Sequence, residues 1–418
     1  MTPTEATSAP TSLFPITLRR AAPFDPPTEF VERKGTGHPD TICDLLAEGL
    51  AQDLARHYLE RHGSLRHFNV DKALLSAGEV RLGDGARHPF GGGEVIRPSR
   101  IVLAGKVDAR EGFPPLGVLT RSAYERLAAI LPWADLPGDY AIELWLQPSS
   151  ADLLPLLARG AAASAQSAPL ANDTSFAVVS LPRSPLEAAV HGVERALAAA
   201  GRNGTLPIGA DIKVMGARQG HDVVVTVAAA ARAREVGDGA AYRYVKDAVR
   251  DISDEAVRAS FRERARRLDH LQVHVNQADL GPDGAYLTLT GSSAEAGDDG
   301  QVGRGNRVGG LITPHRSMSL EAACGKHPLG HVGKLYHALA WDAAEAVSGI
   351  PGVEGATVRM LSRIGRAVER PVAVEVEVAG DVDLEGRAGE AIRARVAAAV
   401  ASWDDAARRL IDGAYELV

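Results

Sequence analysis

The chain has 418 residues, of which 24% are charged, and its formal net charge is -7. At roughly 150 residues per domain, this length predicts about three packed units rather than one core. The acidic balance argues against a surface that binds nucleic acid or an anionic membrane. No apolar run reaches the roughly 18 residues of a membrane span, and the start, MTPTEATSAPTSLFP, lacks the pattern of a secretory signal. We therefore predict a cytoplasmic protein without membrane or nucleic-acid partners.

Residues 1–28 are rich in Pro, Thr, Ser and Ala and have no periodicity, which predicts a mobile N-terminal tail. Apolar residues then recur at helical spacing from 41 to 58, so GTGHPD at 35–40 is predicted to open a helix. His38 and Asp40 lie at its start, where free amides favour anions and an aspartate can hold a metal or simply cap the helix. Both interpretations of Asp40 are open at this point.

The rest of the chain alternates predicted strands and helices. Strands are predicted at 223–227, 271–277, 286–290 and 372–378, and helices at 121–131, 184–200, 240–268, 331–347 and 390–414. The strands alternate polar with apolar residues, which favours sheets with one covered face over a doubly wound parallel sheet. The stretch 155–170 is rich in small residues and is predicted to be a mobile loop or lid.

Four polar segments are too dense in functional groups to be ordinary loops. PLANDTSF at 169–176 places two Asx residues before a predicted strand, and GADIKVMG at 209–216 places an aspartate and a lysine on one strand face. ACGKHPLGHVGK at 323–334 sets lysines and histidines between glycines, and AGDDGQVGRGNRVGG at 296–310 combines glycines with both signs of charge. Each segment alone is equally compatible with a solvated turn or a surface ion pair.

The distribution of lysine favours a ligand site. Four of the seven lysines lie in or beside these segments or the helix start, at positions 34, 213, 326 and 334. Cationic groups that converge with aspartates and an amide-rich loop are typical of a polyphosphate and Mg²⁺ site. The two cysteines, Cys43 and Cys324, form neither a Cys-x-x-Cys pair nor a disulfide framework, so reduced thiols are predicted.

Five segments, taken in chain order, resemble the S-adenosylmethionine synthetase (methionine adenosyltransferase) family in its archaeal branch. They are VERKGTGHPDTICD, PLANDTSF, GADIKVMG, GSSAEAGDDGQVGRGNRVGGLITP and CGKHPLGHVGK, with supporting similarity at LSRIGRAVERP. The resemblance implies an α/β (α+β) fold of three similar domains, each a mixed or antiparallel sheet covered by helices, in a pseudo-threefold arrangement. The approximate domain bounds are 29–140, 141–265 and 266–418.

The resemblance also implies a reaction, in which the thioether sulfur of L-methionine attacks C5′ of ATP and the released triphosphate is hydrolysed to pyrophosphate and phosphate. It implies Mg²⁺ and K⁺ as cofactors and a homodimer with active sites between subunits. The family pattern places the catalytic groups at His38, Lys213, Arg304 and Lys326. It places further nucleotide contacts at Asp173, Asp211 and Gly303, methionine contacts at Glu79, Asp298 and Gln147, Mg²⁺ at Asp40 and K⁺ at Asp71.

One segment departs from the family pattern. The family's methionine-side loop carries Gly-Gln-Gly-Ser before an aspartate, whereas LQPSSAD at 146–152 has Pro148 where glutamine is expected, or a glutamine shifted back to Gln147. Proline removes an amide donor and fixes φ, which alters loop closure and the amino-acid pocket. Two alternatives therefore stand beside methionine adenosyl transfer: a paralogue that accepts a methionine analogue, and a non-synthetic member that only binds ATP or polyphosphate.

Overall fold

A computed structural model describes residues 13–83, 89–149, 168–279 and 284–418. The strands in these residues are β1 Ile16–Ala21, β2 Thr28–Lys34, β3 Phe68–Ser76, β4 Glu79–Leu82, β5 Gly93–Arg97, β6 Ser99–Val107, β7 Tyr140–Pro148, β8 Phe176–Leu181, β9 Ile208–Gln219, β10 Asp222–Arg232, β11 His270–Val275, β12 Leu287–Thr288, β13 Gly300–Gln301, β14 Val353–Leu361 and β15 Ala373–Gly380. The α-helices are α1 Pro39–His62, α2 Leu116–Ile130, α3 Pro185–Arg202, α4 Gly239–Glu263, α5 Val332–Ser348, α6 Arg387–Ala401 and α7 Trp403–Ile411.

The helices begin and end where local chemistry requires. His38 caps α1 with its side chain, and Gly63 ends that helix in the left-handed conformation at φ 66°. Ser184 and Glu187 form a capping box at the start of α3. Asp238 caps α4 through the amide of Ala241. Capping residues therefore fix the ends of three long helices, and the predicted helix positions are confirmed to within a few residues at most ends.

The chain forms two compact units. The described parts of 1–24, 156–182 and 329–407 make the first unit, whose sheet has the order β1-β15-β14-β8. Strand β1 pairs in parallel with β15 and the other pairs are antiparallel, so this sheet is mixed. Helix α5 packs on β8 and β14, and α6 packs on α5. The ordered strand β1 lies inside the stretch predicted as a mobile tail, because its backbone is paired along six residues of β15.

The second unit contains the described parts of 25–155, 183–328 and 408–418 and holds two larger sheets. One has the order β11-β10-β9-β2, with β12 beside β10, and helices α3 and α4 cover one of its faces. The other has the order β13-β3-β6-β7 and is covered by α1 and α2. A two-stranded ribbon of β4 and β5 completes this unit.

Alternation along these strands leaves one face of each sheet in the second unit without helices. On the β3-β6-β7 sheet, Leu74 and Trp145 are 53% and 58% exposed. On the β2-β9-β10 sheet, Phe30, Met215 and Val224 are exposed. The predicted mixed sheets with one covered face are confirmed. The predicted domain bounds at 29–140, 141–265 and 266–418 and the pseudo-threefold arrangement stay predictions.

Candidate active site

The start of α1 lies against the strand β9 through a turn of glycines. The amide of Gly37 donates to the carbonyl of Ala210 at 3.0 Å. A Cβ on Gly37 would lie 2.6 Å from the nitrogen of Asp211, so only glycine lets the turn approach the strand this closely. His38 follows this turn, is 8% exposed, and accepts the Asp40 amide on Nδ1 at 3.2 Å. The sequence GTGHPD thus brings His38 beside the Asp211 segment.

Asp40 links the helix start to the glycine-rich loop. Its Oδ1 accepts the amide of Gln301 at 2.9 Å, and its Oδ2 lies 2.8 Å from the ammonium of Lys34. The same ammonium donates to the carbonyl of Arg304 at 3.0 Å. Asp40 does not cap the helix, because the N-cap residue of α1 is His38, whose side chain accepts the Asp40 amide.

The loop from 300 to 312 is held along the backbone of β2. The side chain of Asn306 exchanges two hydrogen bonds with the backbone of Lys34, at 3.0 and 2.8 Å, and the backbone of Ile312 exchanges two with Glu32, both at 2.9 Å. Just before Asn306, the side chain of Arg304 is exposed. Gly303 adopts φ 80°, a conformation that favours glycine. The loop therefore presents Arg304 from a fixed backbone.

Glu416 fastens the far end of this loop. Its backbone carbonyl accepts the Gly309 amide at 2.8 Å, and its carboxylate contacts His191 at 2.8 Å and Arg183 at 2.6 Å. Burial alone would raise the pKa of Glu416, but the His191 hydrogen bond and the charges of His191, Arg33 and Arg183 lower it to about 2. The Glu416 carboxylate is therefore ionised in the folded protein at neutral pH.

A second polar cluster surrounds Asp211 on β9. Its Oδ2 accepts the amide of Ser293 at 3.0 Å and also the Ser293 hydroxyl. The same hydroxyl lies 3.2 Å from Oδ2 of Asp298, which is exposed. Burial raises the pKa of Asp211, and the nearby His38 and Ser293 act in the opposite direction. The structure thus brings together three predicted site residues: His38, Asp211 and Asp298.

Lys213 lies two residues further along β9, on the face without helices. Its ammonium is 3.0 Å from a carboxylate oxygen of Glu32, and its side chain is 45% exposed. Lys34 is its direct cross-strand partner. Two lysines therefore lie side by side at this end of the sheet, beside the glycine-rich loop, and each is paired with a carboxylate.

Lys326 lies in another segment, which contacts α1 further along the helix, where the Gly325 amide donates to Glu48. It is 4% exposed, pairs with Glu321, and its ammonium is 4.0 Å from Oδ2 of Asp71. The preceding glycine, Gly325, has φ 78°, and a Cβ there would lie 2.5 Å from the carbonyl oxygen of Val70. The GK dipeptide is thus fitted against the start of β3, with its lysine in contact with carboxylates.

Two of the predicted methionine contacts occupy opposite ends of one sheet. Glu79 begins β4, just after the end of β3, is exposed, and lies 3.8 Å from Arg97. Gln147 is also exposed and pairs with Lys106 near the end of β7, level with the start of β3. The chain therefore does not bring Gln147 to Glu79 within one subunit. The residues from Ser150 to Asp152 of the divergent segment lie outside the described residues, as does most of the predicted lid at 155–170.

Asp173 belongs to the first unit, where three of the matched segments meet. The amide of Asn172 donates to the carbonyl of Gly330 at 3.1 Å. The hydroxyl of Ser362 donates to the carbonyl of Asp173 at 3.0 Å. The Asp173 carboxylate accepts the amide of the next residue, Thr174, at 2.7 Å. PLANDTSF, LGHVGK and LSRIGRAVERP are thus one cluster within this unit.

The donor set at Asp40 is compatible with Mg²⁺. Within the described residues there is no group of three or more His, Cys, Asp or Glu side chains able to hold a metal ion. Mg²⁺ usually takes only one or two protein carboxylates and completes its shell with water and substrate phosphates. Asp40 offers such a carboxylate beside the loop, and its Lys34 partner marks the position as one that accepts a cation. At Asp71 the carboxylate oxygens likewise face ammonium groups, those of Lys72 and Lys326.

Residues 17–414 match the S-adenosylmethionine synthetase family. The chain belongs to this family. It is 41% identical over 414 residues to an S-adenosylmethionine synthase of Halobacterium salinarum, covering 95% of this chain and 96% of that protein. It is 41% identical over 357 residues to the S-adenosylmethionine synthase of Pyrococcus furiosus, covering 84% and 85%. A probable S-adenosylmethionine synthase of Aquifex aeolicus is 41% identical over 368 residues, covering 87% and 88%.

These relatives confirm the predicted archaeal-type membership. The family match over residues 17–414 includes all the segments on which that prediction was based. Sequence reasoning missed three side chains that hold predicted site segments, namely those of Asp44, Glu48 and Ser293. The two acidic residues carry a signal in hindsight, since they follow Asp40 at intervals of four on one helix. Among the described residues, no helix has the length and apolar content needed to cross a membrane.

Proposed function

We propose that the residues gathered at the start of α1 carry out the family's reaction in this chain. As a member of that family, the enzyme forms S-adenosylmethionine from ATP and methionine. The observation that supports the site is the convergence of His38, Asp40 and Asp211 with the glycine-rich loop. Negative charge develops on the departing O5′ during sulfur attack, so cations and proton donors fixed around that oxygen lower the barrier.

The proposed roles follow the charges. Lys213, Arg304 and Lys326 bind the triphosphate, and His38 contacts the leaving oxygen. Asp211 lines the nucleotide, with Asp173 assigned the same role from the family pattern, and Gly303 lets backbone approach the phosphates. Support comes from the anchored loop backbone and from the pairing of Lys213 and Lys326 with carboxylates, which keeps both ammonium groups in defined positions until an anion replaces the partner.

Methionine needs a carboxylate for its ammonium group. Asp298 is proposed for this role, because it is exposed and shares the Ser293 hydroxyl with Asp211. Glu79 and Gln147 are proposed as further methionine contacts on the family pattern. Their positions at opposite ends of one sheet are compatible with a shared pocket only if one of them is contributed by another subunit.

A homodimer with active sites between subunits is therefore part of the proposal. The helix-free sheet faces expose large apolar side chains, including Leu74 and Trp145, and such faces are typical of protein interfaces. Lys213 and Gln147 lie on these same faces. A second subunit that covered the faces would bury both side chains and place its own residues beside them. The pseudo-threefold arrangement and a cytoplasmic location are proposed on the family pattern alone.

Mg²⁺ and K⁺ are the proposed cofactors. Asp40 would hold Mg²⁺, and Asp71 would contact K⁺. When bound, Mg²⁺ supplies positive charge that neutralises and orients the triphosphate. The protein's own contribution at this point is the orientation of Asp40, whose second oxygen is fixed by the Gln301 amide.

The experiment is direct product analysis. Purified protein is incubated with ATP, Mg²⁺, K⁺ and L-methionine, and the expected result is the sulfonium product by mass together with pyrophosphate and phosphate. The departure at Pro148 favours one second candidate, adenosyl transfer to a methionine analogue, which a sulfonium formed only with the analogue would establish. Cleavage of triphosphate without any sulfonium would instead establish the non-synthetic alternative and overturn the proposal.

A further inference from the structure

Three acidic residues form a row on one face of α1. Asp40, Asp44 and Glu48 are spaced by four residues, so their side chains lie above one another. Each accepts a backbone amide from a glycine-rich segment: Asp40 from Gln301 at 2.9 Å, Asp44 from Gly303 at 2.8 Å, and Glu48 from Gly325 at 3.1 Å. A single helix face therefore holds both segments that carry the proposed phosphate-binding cations, Arg304 and Lys326.

The spacing of the first two contacts has a geometric reason. Four residues of α-helix rise by about 6 Å, so the carboxylates of Asp40 and Asp44 lie one turn apart on the same face. They accept the amides of Gln301 and Gly303, on either side of Val302, where β13 ends and the chain turns. These two hydrogen bonds set the position of the loop along the helix, because a shift by one residue would break both.

Asp44 is costly for stability in this position. It is 1% exposed, and its Oδ2 is buried without a hydrogen-bond partner among the described residues. Burial raises its pKa to about 7. A buried carboxyl group with an unsatisfied oxygen destabilises a fold, and the like charge of Asp40 one turn away adds to that cost. A Cβ on Gly305 would lie 2.8 Å from this oxygen, so the loop is fitted directly over it.

Glu48 acts on the other segment. Gly325 donates its amide to Glu48 and accepts the amide of Val70 on its carbonyl at 2.8 Å, so both of its backbone groups are fixed. Its φ of 78° is accessible to glycine at little cost. The next residue is the buried Lys326. The Glu48 carboxylate therefore fixes the backbone from which the Lys326 side chain leaves.

We propose that Asp44 and Glu48 are positioning residues for adenosyl transfer, with Asp44 fixing the loop that presents Arg304 and Glu48 fixing the dipeptide that presents Lys326. This inference rests on the proposed function of those two cations. Each carboxylate holds the backbone amide of the residue that precedes a cation, Gly303 before Arg304 and Gly325 before Lys326, and so acts through that cation.

Double-mutant cycles test this division of labour. Asp44→Ala should lower kcat/KM for ATP roughly 10- to 100-fold, as expected when a catalytic group is misplaced by its supporting residue. The same change in an Arg304→Ala background should lower kcat/KM by less than about threefold, because the group that Asp44 positions is already gone.

A second cycle tests Glu48. Glu48→Ala should lower kcat/KM in the unaltered enzyme and have a much smaller effect in a Lys326→Ala background. The crossed pairs, Asp44→Ala with Lys326→Ala and Glu48→Ala with Arg304→Ala, should be close to additive. Equal losses in both backgrounds would overturn the proposal.

A stability measurement separates positioning from a structural role and covers the case in which an alanine variant fails to fold. Asp44→Asn keeps an oxygen that accepts the Gly303 amide and replaces the unpaired oxygen by a neutral group. It should retain kcat/KM within about threefold of the starting enzyme and unfold at the same or a higher temperature. A lower unfolding temperature for Asp44→Asn, combined with equal losses from Asp44→Ala in the presence and absence of Arg304, would identify Asp44 as a structural residue.

The matched control is Glu29→Gln, which alters an equally buried carboxylate that pairs with Ser184 and Arg218 away from both segments. Glu29→Gln should lower the free energy of unfolding, and its effect on kcat/KM should show no coupling to Arg304→Ala or to Lys326→Ala. The failures are distinguishable: no sulfonium from the unaltered protein rejects the proposed function, and full activity of Arg304→Ala or Lys326→Ala rejects the roles of those cations. Activity that falls in the single cation variants but is insensitive to both carboxylates rejects this inference alone.

Discussion

The loop at 300–312 and the strand end at 146–148 carry two parts of the same predicted site, and the protein holds them differently. The loop is bound to β2 and α1 at four residues, through the backbone of Gln301, Gly303 and Ile312 and through the side chain of Asn306. The backbone of the strand end pairs with β6, and its side chains at 147 and 148 are exposed. The proposed triphosphate end is thus preorganised within one chain, whereas the predicted methionine end depends on an open surface.

This difference explains where the sequence can depart from the family pattern. Proline at position 148 lies on β7, at the edge of its sheet, where the lost amide does not interrupt a central ladder. A comparable change inside the loop would break an anchoring hydrogen bond. Substitutions at the anchored end should therefore have larger effects than those at the open end.

The largest effect is expected at Lys326. Lys326→Ala removes a buried cation from the proposed leaving-group site and should lower turnover by on the order of 10²-fold or more. Initial rates of sulfonium formation measure it. Lys246→Ala is the matched control, because that lysine lies on α4, is partly buried and also pairs with a carboxylate, that of Asp279. Equal rates for Lys326→Ala and the unaltered protein would remove Lys326 from the mechanism.

The next effect concerns Asp40. Asp40→Asn should raise the Mg²⁺ concentration needed for half-maximal activity roughly 10- to 100-fold, because it removes the carboxylate proposed to hold the ion. A Mg²⁺ titration of the rate measures the change. Asp53→Asn on the same helix serves as the control, since Asp53 pairs with Arg126 and is not near the loop contacts. An unchanged titration midpoint in the Asp40 variant would contradict the assignment.

A smaller effect, on stability, is expected at the loop's far end. Gly310 has φ 79°, and a Cβ there would lie 2.2 Å from Nη1 of Arg33. Gly310→Ala should therefore lower the free energy of unfolding by about 1–3 kcal/mol more than Gly204→Ala, whose φ is 78° but whose Cβ would meet nothing within 4 Å. Denaturant unfolding of both variants measures the two losses. Because the backbone strain is similar at the two positions, their difference reports the contact with Arg33. Equal losses would show that the loop end is not tightly held.

The smallest effect is expected at the open end. Pro148→Gln alters an exposed side chain and should change the KM for methionine by roughly twofold at most, as for surface substitutions in general. Steady-state kinetics with varied methionine measure it. A tenfold fall in KM would instead place this residue in the amino-acid pocket and make the open face the less tolerant part of the site.

The sequence predicted the main helices and the segments of the site, but it did not predict the sheet that α1 covers. SRIVLAGKV, which forms β6, is a short apolar run whose periodicity does not distinguish a strand from a buried helix. The sequence also did not predict that His38 caps α1. Aspartate is the more common N-cap residue, and which of His38 and Asp40 caps the helix depends on the backbone conformation at the helix start.

The row of Asp40, Asp44 and Glu48 illustrates a second limit. Its spacing by four is visible in the sequence, but acidic residues at helical intervals are usually solvated. Only the folded chain reveals that loops more than 250 residues away supply the amides that these carboxylates bind. Contacts between segments so distant in sequence have no local signal, which is why the phosphate-binding cations were predicted and the residues that hold their backbones were not.

The most direct test of this account is a crystal structure of the protein with Mg²⁺, methionine and a non-hydrolysable ATP analogue. The account predicts that the phosphates lie between Arg304 and Lys326, with Asp40 bound to Mg²⁺ and the Asp44 and Glu48 contacts to Gly303 and Gly325 unbroken. Phosphates bound elsewhere, or loops released from α1 in the complex, would contradict it.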